Sequence, residues 1–178
     1  TKGDDRYALK VNIPGEFNVS NSLAAVAVGR KLGLSVAQIE TGIAALQSVE
    51  GRMNAIDAGQ PFKVLVDFAS TPDGFEKLFE SVRPLVKGKL VAVFGSAGRR
   101  DENKRSLQGA IAAKFADEVV ITEEDDRDEE SEHILEQIAV GVRENGKTEK
   151  NGLHIIANRE EAIGYAFTLV SSPNDMVV

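Results

Sequence analysis

The sequence predicts an α/β fold: a Rossmann-like, doubly wound, mostly parallel sheet with helices on both faces. Three observations lead there. Short apolar runs that read as strands recur at roughly one per βα unit of about 30 residues. Stretches with helical spacing of apolar residues separate them. The strand candidates end in polar or glycine-containing loops beginning at Asp67, Gly95 and Thr122, and in such sheets ligands bind beyond the carboxyl ends of the strands.

The elements follow in order. Residues 7–13 alternate apolar and other side chains, the period of a half-buried strand. Asn18 or Ser20 then caps a helix whose apolar face is Val19, Leu23, Val26 and Ala27, and Gly33 stops it. Ser35 with Gln38 three residues on has the capping-box spacing, and Val36, Ile39, Ile43 and Leu46 form the buried stripe of the next helix. Gly51 and Arg52 close this helical pair. Residues 64–68 form a strand. Thr71, Pro72 and Asp73 open a helix, with proline in the first turn and a carboxylate near the positive end of the dipole. That helix buries Phe75, Leu78, Phe79 and Val82 and breaks near Pro84. Then come a strand at 90–94, a helix carrying Leu107, Ile111 and Phe115, and a strand at 119–121. A helix at 134–142, a strand at 153–156, a helix at 163–170 and a strand at 176–178 complete the series. A chain that opens at Thr1 and stops inside a strand is expected to be part of a longer polypeptide.

Composition narrows the chemistry. The 178 residues are ample for a self-sufficient core. With 28 acidic against 21 basic side chains the net charge is −7, which argues against a polyanion-binding surface, so neither nucleic acid nor an anionic membrane is an expected partner. The absence of cysteine removes disulfides, thiolate zinc sites and cysteine nucleophiles. Two histidines, His133 and His154, leave little for a histidine metal centre or a Ser-His-Asp triad. No apolar run reaches the length of a membrane span.

Three loops and one cluster could carry function. Asp67 at a strand end can accept hydrogen bonds from ribose hydroxyls, or simply shape a helix-capping loop. Gly95 and Gly98 lead into Arg99, Arg100, Lys104 and Arg105, four cations that either clamp a carboxylate or phosphate or form a solvated loop paired by Asp101 and Glu102. The run Glu124-Asp125-Asp126-Arg127-Asp128-Glu129 suits a zwitterion, a solvated loop or a divalent cation, although the glycine of an EF-hand is missing. Asn18, Asn21 and Arg52 together could read an adenine edge and bridge phosphates, while Asn18 alone reads as a cap. Both histidines read as structural or solvent-exposed.

These stretches, taken in register, resemble one family. Residues 15–25, Gly51-Arg52-Met53, the segment from Asp67 to Asp73 and the segment from Phe94 to Arg105 are similar to the Mur ligases, and within them to the UDP-N-acetylmuramoyl-tripeptide synthetases. The resemblance implies that residues 1–50 end a central ATP-binding domain and that 51–178 form the C-terminal, amino-acid-binding domain, truncated at its C-terminus. It implies nucleotide contacts for Asn18, Asn21, Arg52 and Asp67. It implies amino-acid contacts for Arg100, Glu124, Asp125 and Arg127, with Glu124 and Asp125 at the Asp and Asn positions of an Asp-Asn-Pro-Arg motif.

The implied reaction is ATP-dependent addition of a third amino acid, diaminopimelate or lysine, to UDP-N-acetylmuramoyl-L-alanyl-D-glutamate through an acyl phosphate, in the cytoplasm and with ATP and Mg²⁺. Implied partners are these small molecules and the N-terminal and central domains of the same polypeptide. The family's phosphate-binding Gly-x-x-Gly-Lys-Ser/Thr loop is not in this chain, so the chain by itself is expected to be inactive and to contribute no catalytic residue and no metal site. Ser70 replaces a usual histidine, and Arg99 a usual aspartate. Alternatives are a relative of folylpolyglutamate or cyanophycin synthetases, or a non-catalytic Mur-like binding module.

Overall fold

A computed structural model describes residues 6–178, which divide into two compact units, the first ending at Asn54 and the second running from Ala55 to Val178.

In the first unit, α1 (Glu16–Lys31) starts earlier than its sequence predicts. Gly15, at φ 102°, is the N-cap, a conformation that glycine adopts at little cost. Asn18 is therefore no cap. It lies inside the first turn, buried, with Nδ2 donating to the Pro14 carbonyl at 2.6 Å. Of the expected apolar face only Val26 is buried, whereas Val19 and Leu23 are exposed. Residues 7–13 form no strand; Asn12 instead ties that segment to the Ala44 carbonyl through its side chain. The second helix, α2 (Val36–Ala45), carries the full capping box between Ser35 and Gln38. Its stripe is narrower than expected, with Ile39 buried and Leu46 outside the helix and exposed.

The second unit is a six-stranded sheet. Strands β1 (Asn54–Ile56), β2 (Lys63–Val66), β3 (Leu90–Phe94), β4 (Glu118–Ile121), β5 (Leu153–Ile155) and β6 (Met176–Val177) lie in the order β1-β2-β6-β3-β4-β5. The pairs β2–β6, β6–β3, β3–β4 and β4–β5 are all parallel. β1 had no signal in the sequence, because only three residues, none of them buried, form it. Helices α3 (Pro72–Val82), α4 (Asn103–Phe115), α5 (Ser131–Glu144) and α6 (Arg159–Thr168) connect the strands.

Alternation along the strands separates two cores. Val91, Val120 and Val177 pack with Ala162, Ala166 and Val170 of the α6 region. On the opposite face Phe94 meets Phe75 edge-on at 4.9 Å, and Phe75 and Phe79 continue the aromatic layer to Phe115. Full burial of one such side chain stabilises the fold by roughly 1.5–3 kcal/mol. Thr71 caps α3 through Gly74 N–H, and Phe75, Leu78, Phe79 and Val82 are all buried, as their spacing predicts.

In α4 the large apolar residues read from the sequence are not the most buried ones: Ile111 and Phe115 are half-buried. Leu107 of α4 is 52% exposed, while Arg105, Gln108, Gly109, Ala112 and Ala113 point inward. The cause is α5: Gly109 and Gly141 bring the two helices so close that a Cβ at either would collide with a carbonyl of the other, Ile138 or Ser106.

β6 is set by Asp175. Its carboxylate accepts from Lys89 N–H at 2.8 Å and from Ser171 and Ser172 N–H at 3.0 Å each. The Lys89 amide, with the two serine amides, holds this carboxyl below its ordinary range against the opposing effect of burial. Among the described residues no helix is long and apolar enough to cross a membrane.

Candidate functional site

Because β2, β3 and β4 run parallel, their carboxyl ends share one edge, and all three candidate loops leave from it. After β2, Asp67 is half-buried and its Oδ1 accepts Ala69 N–H at 2.8 Å, bending the chain toward the Thr71 cap. Phe68 beside it is exposed. A cavity of about 390 Å³ opens here, lined in part by Asp67, Phe68, Gly95, Lys104, Gln108 and Glu124. Lys104 reaches across its rim to the Ser70 carbonyl at 3.2 Å, and Oε1 of the buried Gln108 has no hydrogen-bond partner among the described residues.

The loop after β3 explains its glycines. A Cβ at Gly95 would strike the Thr122 carbonyl, and one at Gly98 the Asp126 carbonyl. Both glycines therefore serve close approach to the loop after β4, and the Gly98 N–H donates to the Asp125 carbonyl at 2.8 Å. Of the four cations in this stretch, Arg105 is not available to a ligand. It is completely buried and pairs with both carboxylate oxygens of Glu129, at 2.6 and 2.9 Å. The Arg105 guanidinium, helped by the backbone N–H of Arg99, pulls the Glu129 carboxyl down to about 2. Arg100 is exposed, with no side-chain hydrogen bond among the described residues.

After β4, Glu124, Asp125 and Arg127 are exposed, and Arg127 Nε donates to Asp125 Oδ2 at 2.9 Å. Arg127 and Asp128 have φ of 50° and 67°, rare for residues with a side chain. Arg127 is thus engaged by Asp125, two residues before it in the same loop.

Of the predicted site residues in this unit, Asp67 and Glu124 share the cavity. Arg100, Asp125 and Arg127 sit on the interlocked loops and do not line it. In the first unit, Asn21 Nδ2 donates to Asn18 Oδ1 at 3.1 Å, so the Asn18 amide is spent on Pro14 and Asn21. Arg52 lies in the turn bridged to Val49.

The described residues contain no group of three or more His, Cys, Asp or Glu able to hold a metal ion. His154 is structural, set between Glu118 at 3.0 Å and the Tyr165 hydroxyl at 3.1 Å; His133 meets Gln137.

Sequence reasoning missed the pairing role of Arg105 and Glu129, and the cavity residues Gln108 and Arg159. The inward face of α4 did carry a signal, with Arg105, Gln108, Gly109, Ala112 and Ala113 at helical spacing, but in small and polar residues rather than large apolar ones. One string is deceptive. Residues 141–148, Gly-Val-Arg-Glu-Asn-Gly-Lys-Thr, satisfy the spacing of a phosphate-binding loop. Such a loop follows a strand and opens a helix, whereas this string ends α5 and precedes β5, and Lys147 Nζ donates to the Asp117 carbonyl.

Residues 51–178 match the family described as Mur ligase, glutamate ligase domain. The chain is 45% identical over 169 residues to the UDP-N-acetylmuramyl-tripeptide synthetase of Roseiflexus sp. (strain RS-1), covering 95% of this chain and 33% of that protein. A solved UDP-N-acetylmuramoyl-L-alanyl-D-glutamate–2,6-diaminopimelate ligase superposes with TM-score 0.64 at 29% identity, covering 97% of this chain and 34% of that one. Mycobacterium tuberculosis folylpolyglutamate synthase complexed with ADP gives TM-score 0.73 at 20% identity, covering 96% and 38%, a likeness of fold alone. The chain spans about a third of the length of these proteins. With the family matched from Gly51 to the last residue, and a parallel sheet that gathers three polar loops at one edge, the chain belongs to the Mur ligase family.

Proposed function

We propose that the chain is the amino-acid-binding part of an ATP-dependent ligase that adds the third residue of a peptidoglycan stem peptide. In this reading residues up to about 50 end the ATP-binding domain and the remainder receives the incoming amino acid. The observation that carries it is the 45% identity to a tripeptide synthetase across 95% of the chain. The convergence of the loops bearing Asp67, Arg100 and Arg127 supports it.

In that reaction the phosphorylated carboxyl of the UDP-linked dipeptide is attacked by the amino group of the added residue. This chain's part is binding and orientation. Guanidinium groups at Arg100 and Arg127 hold the amino acid's carboxylate by charge-assisted hydrogen bonds, leaving its amine directed at the acyl group. In the second unit Asp67 accepts from ribose hydroxyls of the nucleotide. In the first unit the nucleotide contacts fall to Asn18, Asn21 and Arg52, with Asn18 acting by fixing Asn21. The phosphoryl transfer itself needs phosphate-binding groups and Mg²⁺. The working location is the cytoplasm, where ATP and the nucleotide-linked peptide occur together.

Asp125 beside Arg127 bears on the added residue. The loop from Glu124 to Arg127 carries three carboxylates and one guanidinium. That balance favours a side chain ending in an ammonium alone, as in lysine, over one whose terminal ammonium is accompanied by a further carboxylate, as in diaminopimelate. The test is phosphate release by the full-length polypeptide with ATP, Mg²⁺ and UDP-N-acetylmuramoyl-dipeptide, adding lysine, diaminopimelate or glutamate in turn. Turnover with lysine or diaminopimelate supports the reading. Turnover only with a folate and glutamate would transfer the chain to the folylpolyglutamate branch.

A further inference from the structure

One buried cation holds both loops that carry the amino-acid arginines. Arg105 lies in the first turn of α4 with no exposed surface. Its Nη1 donates to Glu129 Oε1 and to Gln137 Oε1, each at 2.6 Å, and its Nη2 donates to Glu129 Oε2 at 2.9 Å and to the Ala97 carbonyl at 3.3 Å. Ala97 belongs to the loop after β3, and Glu129 to the loop after β4. Glu129 Oε2 also accepts the N–H of Arg99, the residue before Arg100, at 2.9 Å. Arg99 Nη2 reaches the Asp128 carbonyl at 3.4 Å.

Around this pair the backbone is unusual. Arg99, Arg127 and Asp128 have φ of 53°, 50° and 67°. Non-glycine residues hold such conformations only where their surroundings over-determine them. Here the fixing agent is the two-oxygen, two-nitrogen fork of Glu129 and Arg105, a geometry that lysine cannot reproduce. Neither residue can meet a ligand with its occupied groups. Their effect on one passes through Arg100 and Arg127, one residue beyond Arg99 and two before Glu129.

We propose that Arg105 and Glu129 are positioning residues that fix the relative placement of Arg100 and Arg127, and so set the affinity for the incoming amino acid. This rests on the ligase reading above. Two near-isosteric variants test it in the full-length polypeptide: Glu129→Gln, which removes the charge, and Arg105→Lys, which keeps charge and loses the fork. Each is expected to raise the amino-acid KM about tenfold or more, while the KM for ATP and for the UDP-linked dipeptide stays within about twofold. Amide exchange at Arg99 should quicken in both.

An active wild type with an unchanged amino-acid KM in folded Glu129→Gln overturns the proposal. So does a variant in which all three KM values and kcat worsen together, since that marks a merely structural pair. A wild type with no ligase turnover at all, while Arg99 exchange still responds, shows that the ligase reading has failed and takes the positioning role with it.

Discussion

The backbone N–H of Gly98 donates to the carbonyl of Asp125 at 2.8 Å, and this contact joins the loops that follow two neighbouring strands. The approach leaves no room for a side chain at Gly98, because a Cβ would run into the Asp126 carbonyl. Backbone cannot yield as a flexible side chain can. Gly98→Ala is therefore expected to destabilise the chain by about 1–3 kcal/mol, the usual cost of overpacking. A urea midpoint unchanged from the parent would show that the loops separate freely.

Arg127→Ala in the full-length enzyme should raise the amino-acid KM and leave the ATP KM alone. One charge-assisted hydrogen bond to a substrate carboxylate contributes on the order of 1.5–3 kcal/mol, about 10- to 150-fold in KM. Steady-state kinetics with each substrate varied in turn measures it. An unchanged amino-acid KM removes Arg127 from the site.

Asp125→Asn releases Arg127 from its ion pair. The pair is exposed on both sides, so water and salt screen it and its energy is at most about 1 kcal/mol. The expected change is a shift of up to about fivefold in relative kcat/KM toward an amino acid bearing a second carboxylate. Competition between lysine and diaminopimelate reads this ratio, and a ratio that does not move separates Asp125 from selectivity.

Asp175 makes stability depend on acid. Its folded pKa lies below the unfolded value of about 3.9, so it contributes stability above that pH and loses it as pH falls through the folded value. Glu129, at about 2 when folded, adds to the same acid-side loss below about pH 4.3. Asp175→Asn should lower stability near neutral pH by about 1.5–3 kcal/mol and flatten the acid limb of the curve. Denaturant titrations at a series of pH values would reveal it, and an acid limb unaltered by the substitution would assign the loss to other carboxylates.

Leu107→Gln should change stability by no more than about 0.5 kcal/mol, as expected for an exposed position. A loss several times larger would place Leu107 inside.

Where local signals and burial agreed, the sequence was readable. Thr71, Pro72 and the four apolar residues of α3 define that helix from capping chemistry and period alone. Leu90–Phe94 reads as a strand because it is buried on both faces. Asp67 and Glu124 could be placed at strand ends for the same reason, and the structure gives them one cavity. Reading failed where tertiary contacts decide. Arg105 looks like one more cation in a basic loop, and the distant Glu129 and Gln137, with the Ala97 carbonyl, make its burial tolerable. Asn18 has the chemistry of a cap, but Gly15 at positive φ starts the helix first. The glycines of the β3 loop matched no phosphate-binding spacing, and their reason lies in a second loop that sequence spacing cannot show.

The place of β6 governs how this sheet must assemble. Met176 and Val177 fill the gap between β2 and β3, and Asp175 bonds a residue 86 positions earlier in the chain. Until that segment docks, β2 and β3 each present an unpaired edge, the kind of surface that recruits other chains. Contacts of such sequence separation form late and slowly. The vulnerable period in the life of this domain is therefore the interval before β6 inserts, and aggregation during synthesis should depend more on residues 175–177 than on any loop at the carboxyl edge of the sheet.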